Sequence, residues 1–216
     1  MTMSDKSLQQ AVLDELEWEP SVNAAHIGVT AKDGVVTLSG DVKSYAEKWA
    51  AERAARRVYG VKGVAEEINV RYPFDKVDDT DIAQNALQAL SLDIELPTNK
   101  VTVKVEGGWV SLSGTLDWRF QSSAAEADVR KLKGVIGVIN NIVIKPNVQA
   151  SDVRAKLKAA FARNAEIEED NIAMTVDGGK VTLGGRVDTW GQDSLAVDTA
   201  WSAPGVTQVE DRLSVG

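Results

Sequence analysis

The chain has 216 residues and a formal net charge of −8, with 44% hydrophobic residues, 26% charged residues and no cysteine. This composition excludes a disordered chain, and the absence of thiols excludes disulfides and thiolate metal sites. The acidic balance disfavours binding to a nucleic-acid backbone.

One seven-residue pattern, Gly-Val-Val-Thr-Leu-Ser-Gly in its first copy, occurs three times at spacings of 74 and 71 residues. The copies lie at residues 34–40, 108–114 and 179–185. A spacing near 70 residues suits a small domain and is too long for a solenoid unit. We therefore predict three tandem domains, at residues 4–72, 79–146 and 150–216.

Each copy begins with a predicted amphipathic helix, because apolar residues recur at four-residue steps on one face. The three stripes are Leu8, Val12 and Leu16; Ile82, Ala86 and Leu90; and Val153, Leu157 and Phe161. Two alternating, β-branched runs follow, joined by a turn that contains Gly34, Gly107–Gly108 or Gly178–Gly179. This pattern is typical of a β-hairpin.

A second helix is predicted after the hairpin, with alanine at its first inner position in all three copies (Ala51, Ala125 and Ala196). A third alternating run closes each copy, so that the predicted order is α-β-β-α-β. The linkers, at residues 72–79 and 146–150, are short. We therefore expect the domains to pack against one another rather than move independently.

This pattern resembles the BON domain, a bacterial unit found in osmotically inducible proteins of the OsmY type. The resemblance rests on the hairpin strand and on the turn Gly-Val-x-Gly-Val before the last strand. The turn occurs at residues 60–64 and 134–138, whereas the third copy keeps Gly205-Val206 and has Gln208 in place of the second glycine. The resemblance implies an α+β fold, with a small mixed three-stranded sheet and two helices on one face in each domain.

The resemblance also implies a non-enzymatic binding module, which associates with phospholipid surfaces in envelope maintenance or the osmotic stress response. A protein-interaction or chaperone-like module and a potassium-responsive protein are the alternatives. Its expected partner is therefore an anionic phospholipid surface or a protein.

The residues themselves indicate no catalytic or metal-binding chemistry. The single histidine, His26, has no cysteine or second histidine beside it, and no nucleophile motif occurs. The acidic run at residues 166–170 lacks the central glycine and alternate oxygen spacing of a calcium loop, so we interpret it as a solvated loop. We expect no cofactor and no metal.

Basic residues distinguish the second helices of the three copies. The first carries Arg53, Arg56 and Arg57, and the second carries Arg130, Lys131 and Lys133. The third has no basic residue, and Trp201 occupies the position equivalent to Arg130. These cations are candidates for contact with anionic lipid; alternatively, they solvate the helix or pair with Glu47 and Glu52.

Aromatic residues provide a second set of candidate contacts. Tyr45, Trp118 and Trp190 lie where the second strand leads into the second helix, and Trp109 follows the hairpin glycines of the second copy. Such rings cap their own core, pack between domains or meet a partner or lipid. The N-terminus shows no signal-peptide pattern, which predicts a cytoplasmic location; a periplasmic location is the alternative if a leader has been removed.

Overall fold

The computed structural model describes residues 3–72, 77–97, 99–145, 153–164 and 171–216. Within them each copy has the predicted order α-β-β-α-β. The first domain contains α1 (Asp5–Trp18), β1 (Ile27–Lys32), β2 (Val35–Val42), α2 (Tyr45–Arg57) and β3 (Gly63–Val70). The second contains α3 (Asp79–Leu92), β4 (Val101–Glu106), β5 (Trp109–Leu116), α4 (Arg119–Arg130) and β6 (Gly137–Ile144). The third contains α5 (Val153–Arg163), β7 (Ile172–Asp177), β8 (Lys180–Val187), α6 (Trp190–Trp201) and β9 (Gln208–Val215).

Each domain has a mixed three-stranded sheet with the hairpin's second strand in the centre. In the first domain β2 pairs antiparallel with β1 and parallel with β3, and the other two sheets repeat this arrangement. The parallel pair requires a crossover connection, which the second helix provides. The predicted α+β class and topology are confirmed.

Both helices of a domain pack on the same sheet and on each other. The first helix buries its predicted stripe, so that Leu8, Val12 and Leu16 are at most 2% exposed. The second helix buries alanines, such as Ala51 and Ala54 in α2. Because alanine has only a methyl side chain, this helix lies close to the sheet and each domain has a thin core.

Two of the second helices begin with a hydroxyl cap. The side chains of Ser44 and Thr189 accept hydrogen bonds from the backbone N–H of Glu47 and Gln192. The equivalent residue in the second domain is Trp118, and there Gln121 Oε1 accepts from the Trp118 backbone N–H. The second copy has thus lost the cap hydroxyl and gained an indole ring at a helix end.

Steric crowding explains why the last residue of the repeated pattern is glycine. Gly40, Gly114 and Gly185 all have positive φ, at 127°, 146° and 118°. A Cβ at these positions would overlap the backbone carbonyl oxygen of His26, Lys100 or Asn171, just before the first strand. Only glycine permits this approach of two backbone segments, which accounts for its presence in all three copies.

We expect Gly185→Ala to lower the free energy of unfolding of the third domain by at least about 2 kcal/mol, because it adds a clash to a strained φ. The neighbouring Gly184 is the matched control, since a Cβ there meets nothing within 4 Å. Gly184→Ala should change stability by no more than about 0.5 kcal/mol. Urea unfolding of both variants tests this, and equal losses would refute the steric explanation.

Candidate binding surfaces and domain junctions

The start of α2 joins the first domain to the second. Tyr45 packs against the hydrophobic core of the second domain. One turn later the Arg130 guanidinium lies over the Trp49 ring, 3.7 Å from its centroid. Burial raises the pKa of the Tyr45 phenol, and the charge of Arg130 opposes that shift. The N-terminal end of α2 therefore meets the C-terminal end of α4.

The start of α6 joins the third domain to the first in the same way. Trp190, the first residue of α6, packs against the core of the first domain. The guanidinium of Arg56, near the end of α2, lies 5.3 Å from the centroid of the Trp190 ring. The N-terminal end of α6 therefore meets the C-terminal end of α2.

The start of α4 joins the second domain to the third. The guanidinium of Arg119, the first residue of α4, lies 5.5 Å from the centroid of the Trp201 ring at the end of α6. Trp201 packs against the cores of both domains. The three second helices thus meet N-terminus to C-terminus in a closed cycle.

Apart from Trp49, the residues named at these three junctions occupy two equivalent positions of the repeat. Tyr45, Arg119 and Trp190 share one position, and Arg56, Arg130 and Trp201 share the other. Each junction combines an aromatic residue with an arginine. At two junctions the arginine lies near the end of its helix, whereas at the third Arg119 lies at the start of its helix and the aromatic Trp201 at the end. Because equivalent head-to-tail contacts that close form a ring, the domains are related by an approximate threefold rotation.

The junctions engage several of the predicted lipid contacts. Arg56 forms a salt bridge of 2.7 Å with Glu52, and Arg130 one of 2.6 Å with Glu126. Arg57 contacts Glu15 at 2.8 Å and Glu19 at 3.1 Å. These three arginines are therefore ion-paired within the chain.

The remaining predicted cations lie on the surface. Arg53 is exposed and its guanidinium lies 4.9 Å from the centroid of the Trp49 ring. Lys131 and Lys133 are exposed beyond the last turn of α4. Nothing in the structure brings these three together with the tryptophans predicted to contact lipid, and lipid contact at these cations stays a prediction.

Trp118 lies at the edge of the junction between the second and third domains. It lines an open cleft of about 530 Å³ together with Phe120 and Trp201. Trp49 and Arg119 were not identified from the sequence. For Arg119 the sequence does contain a signal, because an arginine stands there where the other two copies have an aromatic residue, while Trp201 stands where the first and second copies have arginine.

Trp109 lies on the sheet face opposite the helices of the second domain. It is 47% exposed, and the neighbouring strand β6 exposes Ile139 (45%) two residues beyond the partner of Trp109 and Val143 (52%) four residues further along the same face. Its ring covers Gly137, where a Cβ would overlap it. We call Trp109, Ile139 and Val143 the open face of the second domain.

The equivalent positions are more polar in the other two domains. In place of Trp109, Ile139 and Val143, the first domain has Val35, Ala65 and Asn69, and the third has Lys180, Glu210 and Ser214. The apolar open face is therefore a property of the second copy and not of the fold.

A contact between the second helix and the third strand also differs among the copies. The first domain has a salt bridge of 3.7 Å between Lys48 and Glu66. At the equivalent positions of the second domain, Ser122 and Asn140 exchange hydrogen bonds. The third domain has two carboxylates there, Asp193 and Asp211.

The carboxylate pair lies beside the junction with the first domain. Asp193 is 6% exposed. Burial, and then the hydrogen bond and charge of Asp211, raise the pKa of Asp193 from 3.8 to about 6, whereas Arg56 of α2 opposes the shift. This environment therefore favours the protonated form of Asp193 more than water does, as its raised pKa records.

The described part of the chain shows neither of two other classes of site, a metal centre or a membrane-spanning helix. No group of three or more His, Cys, Asp or Glu residues there could hold a metal ion. No helix there is long and apolar enough to cross a membrane. The acidic run at residues 166–170, predicted to be a solvated loop, lies outside the described residues.

Three tandem α-β-β-α-β repeats, each with a mixed three-stranded sheet, place the protein in the class of tandem α+β repeat proteins. The profile of the BON domain matches residues 4–72, 78–146 and 149–216. The chain belongs to the BON domain family.

Among characterised relatives, the chain is similar to Osmotically-inducible protein Y of Escherichia coli (strain K12). The two are 31% identical over 148 residues, which cover 66% of this chain and 74% of the relative. Among solved structures, it is similar to CdsD, a structural protein of the type III secretion system of Chlamydia trachomatis. The identity is 18%, over 96% of this chain and 91% of that chain, with a TM-score of 0.27. At this TM-score, the arrangement of the domains rests on the contacts within this chain.

The junction of Arg119 with Trp201 can be tested by exchanging these two residue types. We expect Trp201→Arg to destabilise the protein because it places two guanidinium groups together. Combining it with Arg119→Trp re-creates the pairing of Trp190 with Arg56 and should recover about 0.5–1 kcal/mol. A double-mutant cycle by thermal unfolding measures this coupling. Additive losses would show that the two side chains act independently.

The carboxylate pair predicts a pH dependence. Because the pKa of Asp193 is raised to about 6 in the folded protein, its stabilising contribution is present below 3.8 and is lost as the pH rises through about 6. The loss should fall mainly between about pH 4 and about pH 6.5, and the part of it above pH 5 should be on the order of 1 kcal/mol.

The matched control is the double variant Asp193→Ser with Asp211→Asn, which installs the pair found in the second domain. Urea unfolding at several pH values should show a smaller loss for this variant than for the native protein. Parallel pH profiles would exclude the carboxylate pair as the cause.

Proposed function

We propose that this protein is a non-enzymatic binding protein of the osmotic stress response, which holds polypeptide segments on the open face of its second domain. The stress assignment is supported by membership of the BON family and by the similarity to an osmotically inducible protein. The polypeptide assignment is carried by the open face itself.

The open face has the chemistry of a protein-binding surface. Trp109 and Ile139 expose nearly half of their surface on adjacent strands, and Val143 adds a further exposed apolar side chain on β6, beyond Asn141. Hydroxyl residues such as Ser113 lie between them. Exposed apolar residues grouped on one face are typical of a site that contacts another polypeptide, and tryptophan is enriched in such contacts.

Charge favours a neutral partner for this face. Its nearest charged residues, Lys104 and Glu106, neutralise each other through a contact of 2.9 Å. An anionic bilayer would require unpaired cations, yet Arg56, Arg57 and Arg130 are paired within the chain. The net charge of −8 adds repulsion from such a surface. We therefore favour the protein-interaction, chaperone-like alternative over anionic lipid.

The expected result is that Trp109→Ser combined with Val143→Ser weakens binding to a permanently unfolded, reduced apolar polypeptide by about tenfold. The reason is the loss of about 1.4 kcal/mol of apolar contact. Fluorescence anisotropy of the labelled polypeptide measures the affinity. Val35→Ser, at the position equivalent to Trp109 in the first domain, is the control and should have little effect.

The lipid hypothesis is tested with the same proteins. We expect no flotation with phosphatidylglycerol vesicles at low salt. Flotation that is lost on reversing the charges of Arg53 and Lys131 would instead establish the anionic-lipid function. Unchanged polypeptide binding by the open-face variant would refute the proposal.

A further inference from the structure

The most exposed large apolar side chains of the described residues lie at the ends of first helices. Trp18, the last residue of α1, is 83% exposed, and Leu92, the last residue of α3, is 74% exposed. They occupy the same position of the repeat. Ile94, two residues after Leu92, is 99% exposed. Trp18, Leu92 and Ile94 therefore contribute nothing to the cores of their own domains.

Carboxylates flank each of these apolar side chains. Glu17 and Glu19 stand on either side of Trp18, and Asp93 and Glu95 stand on either side of Ile94. Glu19 pairs with Arg57 at 3.1 Å, but Glu17 and Glu95 form no salt bridge with any described residue. Both helix ends therefore combine an exposed apolar group with unneutralised negative charge.

A further carboxylate strengthens the negative charge in the second domain. Asp128 of α4 hydrogen-bonds to Asp93, and one of its oxygens is buried with no other partner. Burial, and then Asp93, raise the pKa of Asp128, whereas Lys131 lowers it. Because like charges are held together here, an incoming cation would be stabilised by the pair.

The ring brings the two helix ends to one side of the molecule. Domains related by a rotation about one axis place equivalent residues at the same height along that axis. Trp18 and Leu92 are equivalent, so they lie on the same side of the ring. We call Trp18, Leu92 and Ile94, with Glu17, Glu19, Asp93 and Glu95, the helix-end rim.

We propose that the helix-end rim binds a basic amphipathic segment of a partner polypeptide. Apolar residues of the segment would contact Trp18, Leu92 and Ile94, while its lysines or arginines would pair with the carboxylates between them. An anionic membrane is disfavoured because the rim would repel it, and a second copy is disfavoured because two acidic rims repel each other. This site is separate from the open face and does not depend on the function proposed above.

The test uses the full chain and a labelled lysine–leucine peptide that forms an amphipathic helix. We expect saturable binding by fluorescence anisotropy that weakens as salt increases. Trp18→Ser with Leu92→Ser, and separately Glu17→Lys with Glu95→Lys, should each weaken binding at least about tenfold. A glutamate–leucine peptide of the same apolar pattern should not bind.

Two controls separate this site from a general effect of charge or of the open face. Glu67→Lys reverses an exposed charge on β3 and should reduce affinity by less than about twofold. The open-face variant should bind the basic peptide like the native protein, so that failure of one proposal leaves the other intact. Equal binding of both peptides, or unchanged affinity in the charge-reversed variant whose circular dichroism is native, would overturn the inference.

Discussion

The contact on which the arrangement depends is the pairing of one arginine with one aromatic ring where two second helices meet. Each domain alone has about 70 residues, with a core built largely from alanines on one side and valines and leucines on the other. Such a unit buries little apolar surface by itself. Tyr45, Trp190 and Trp201 add apolar area to neighbouring cores. Arginine guanidinium groups lie over the rings of Trp49, Trp190 and Trp201 at the three junctions. Because the junctions close into a ring, every domain gains two neighbours rather than one.

The junction of Arg119 with Trp201 shows that the ring of domains constrains the pairing of an arginine with an aromatic residue, and not which helix supplies each. The third copy lacks basic residues on its second helix, which in the sequence suggests a lost binding site. In the structure, Trp201 is the partner of Arg119, and the pair is kept while its two members are exchanged. The presence of Trp201 at a position where the other copies have arginine is therefore explained by packing.

The contacts between the second helix and the third strand lie within each domain. There the three copies have an ion pair, a hydroxyl–amide pair and a carboxylate pair at equivalent positions.

The helices, strands and sheet order could be predicted because their signals are local. Alternation defines β2, the four-residue stripe defines α1, and the glycines at 40, 114 and 185 mark a fixed backbone approach. The ring could not be predicted, since which copy Trp49 or Arg119 contacts depends on the global arrangement. The open face was predicted only in part. Trp109 was identified as a candidate contact, but Ile139 and Val143 were not. Because β6 carries apolar residues on both faces, its sequence does not show which of them are exposed.

The two proposed surfaces, the open face and the helix-end rim, lie outside the contacts named at the domain junctions. Both helices pack on one face of the sheet, so the opposite face of each domain takes no part in the junctions, and only the second copy makes that face apolar. The first helices contribute their stripes to the cores, but their ends project beyond them, and two of the three ends carry an exposed apolar residue. Neither surface requires the ring to open when a ligand binds. A scaffold braced by its junctions would lose little conformational entropy on binding, so modest contacts would be sufficient at each of the two proposed surfaces.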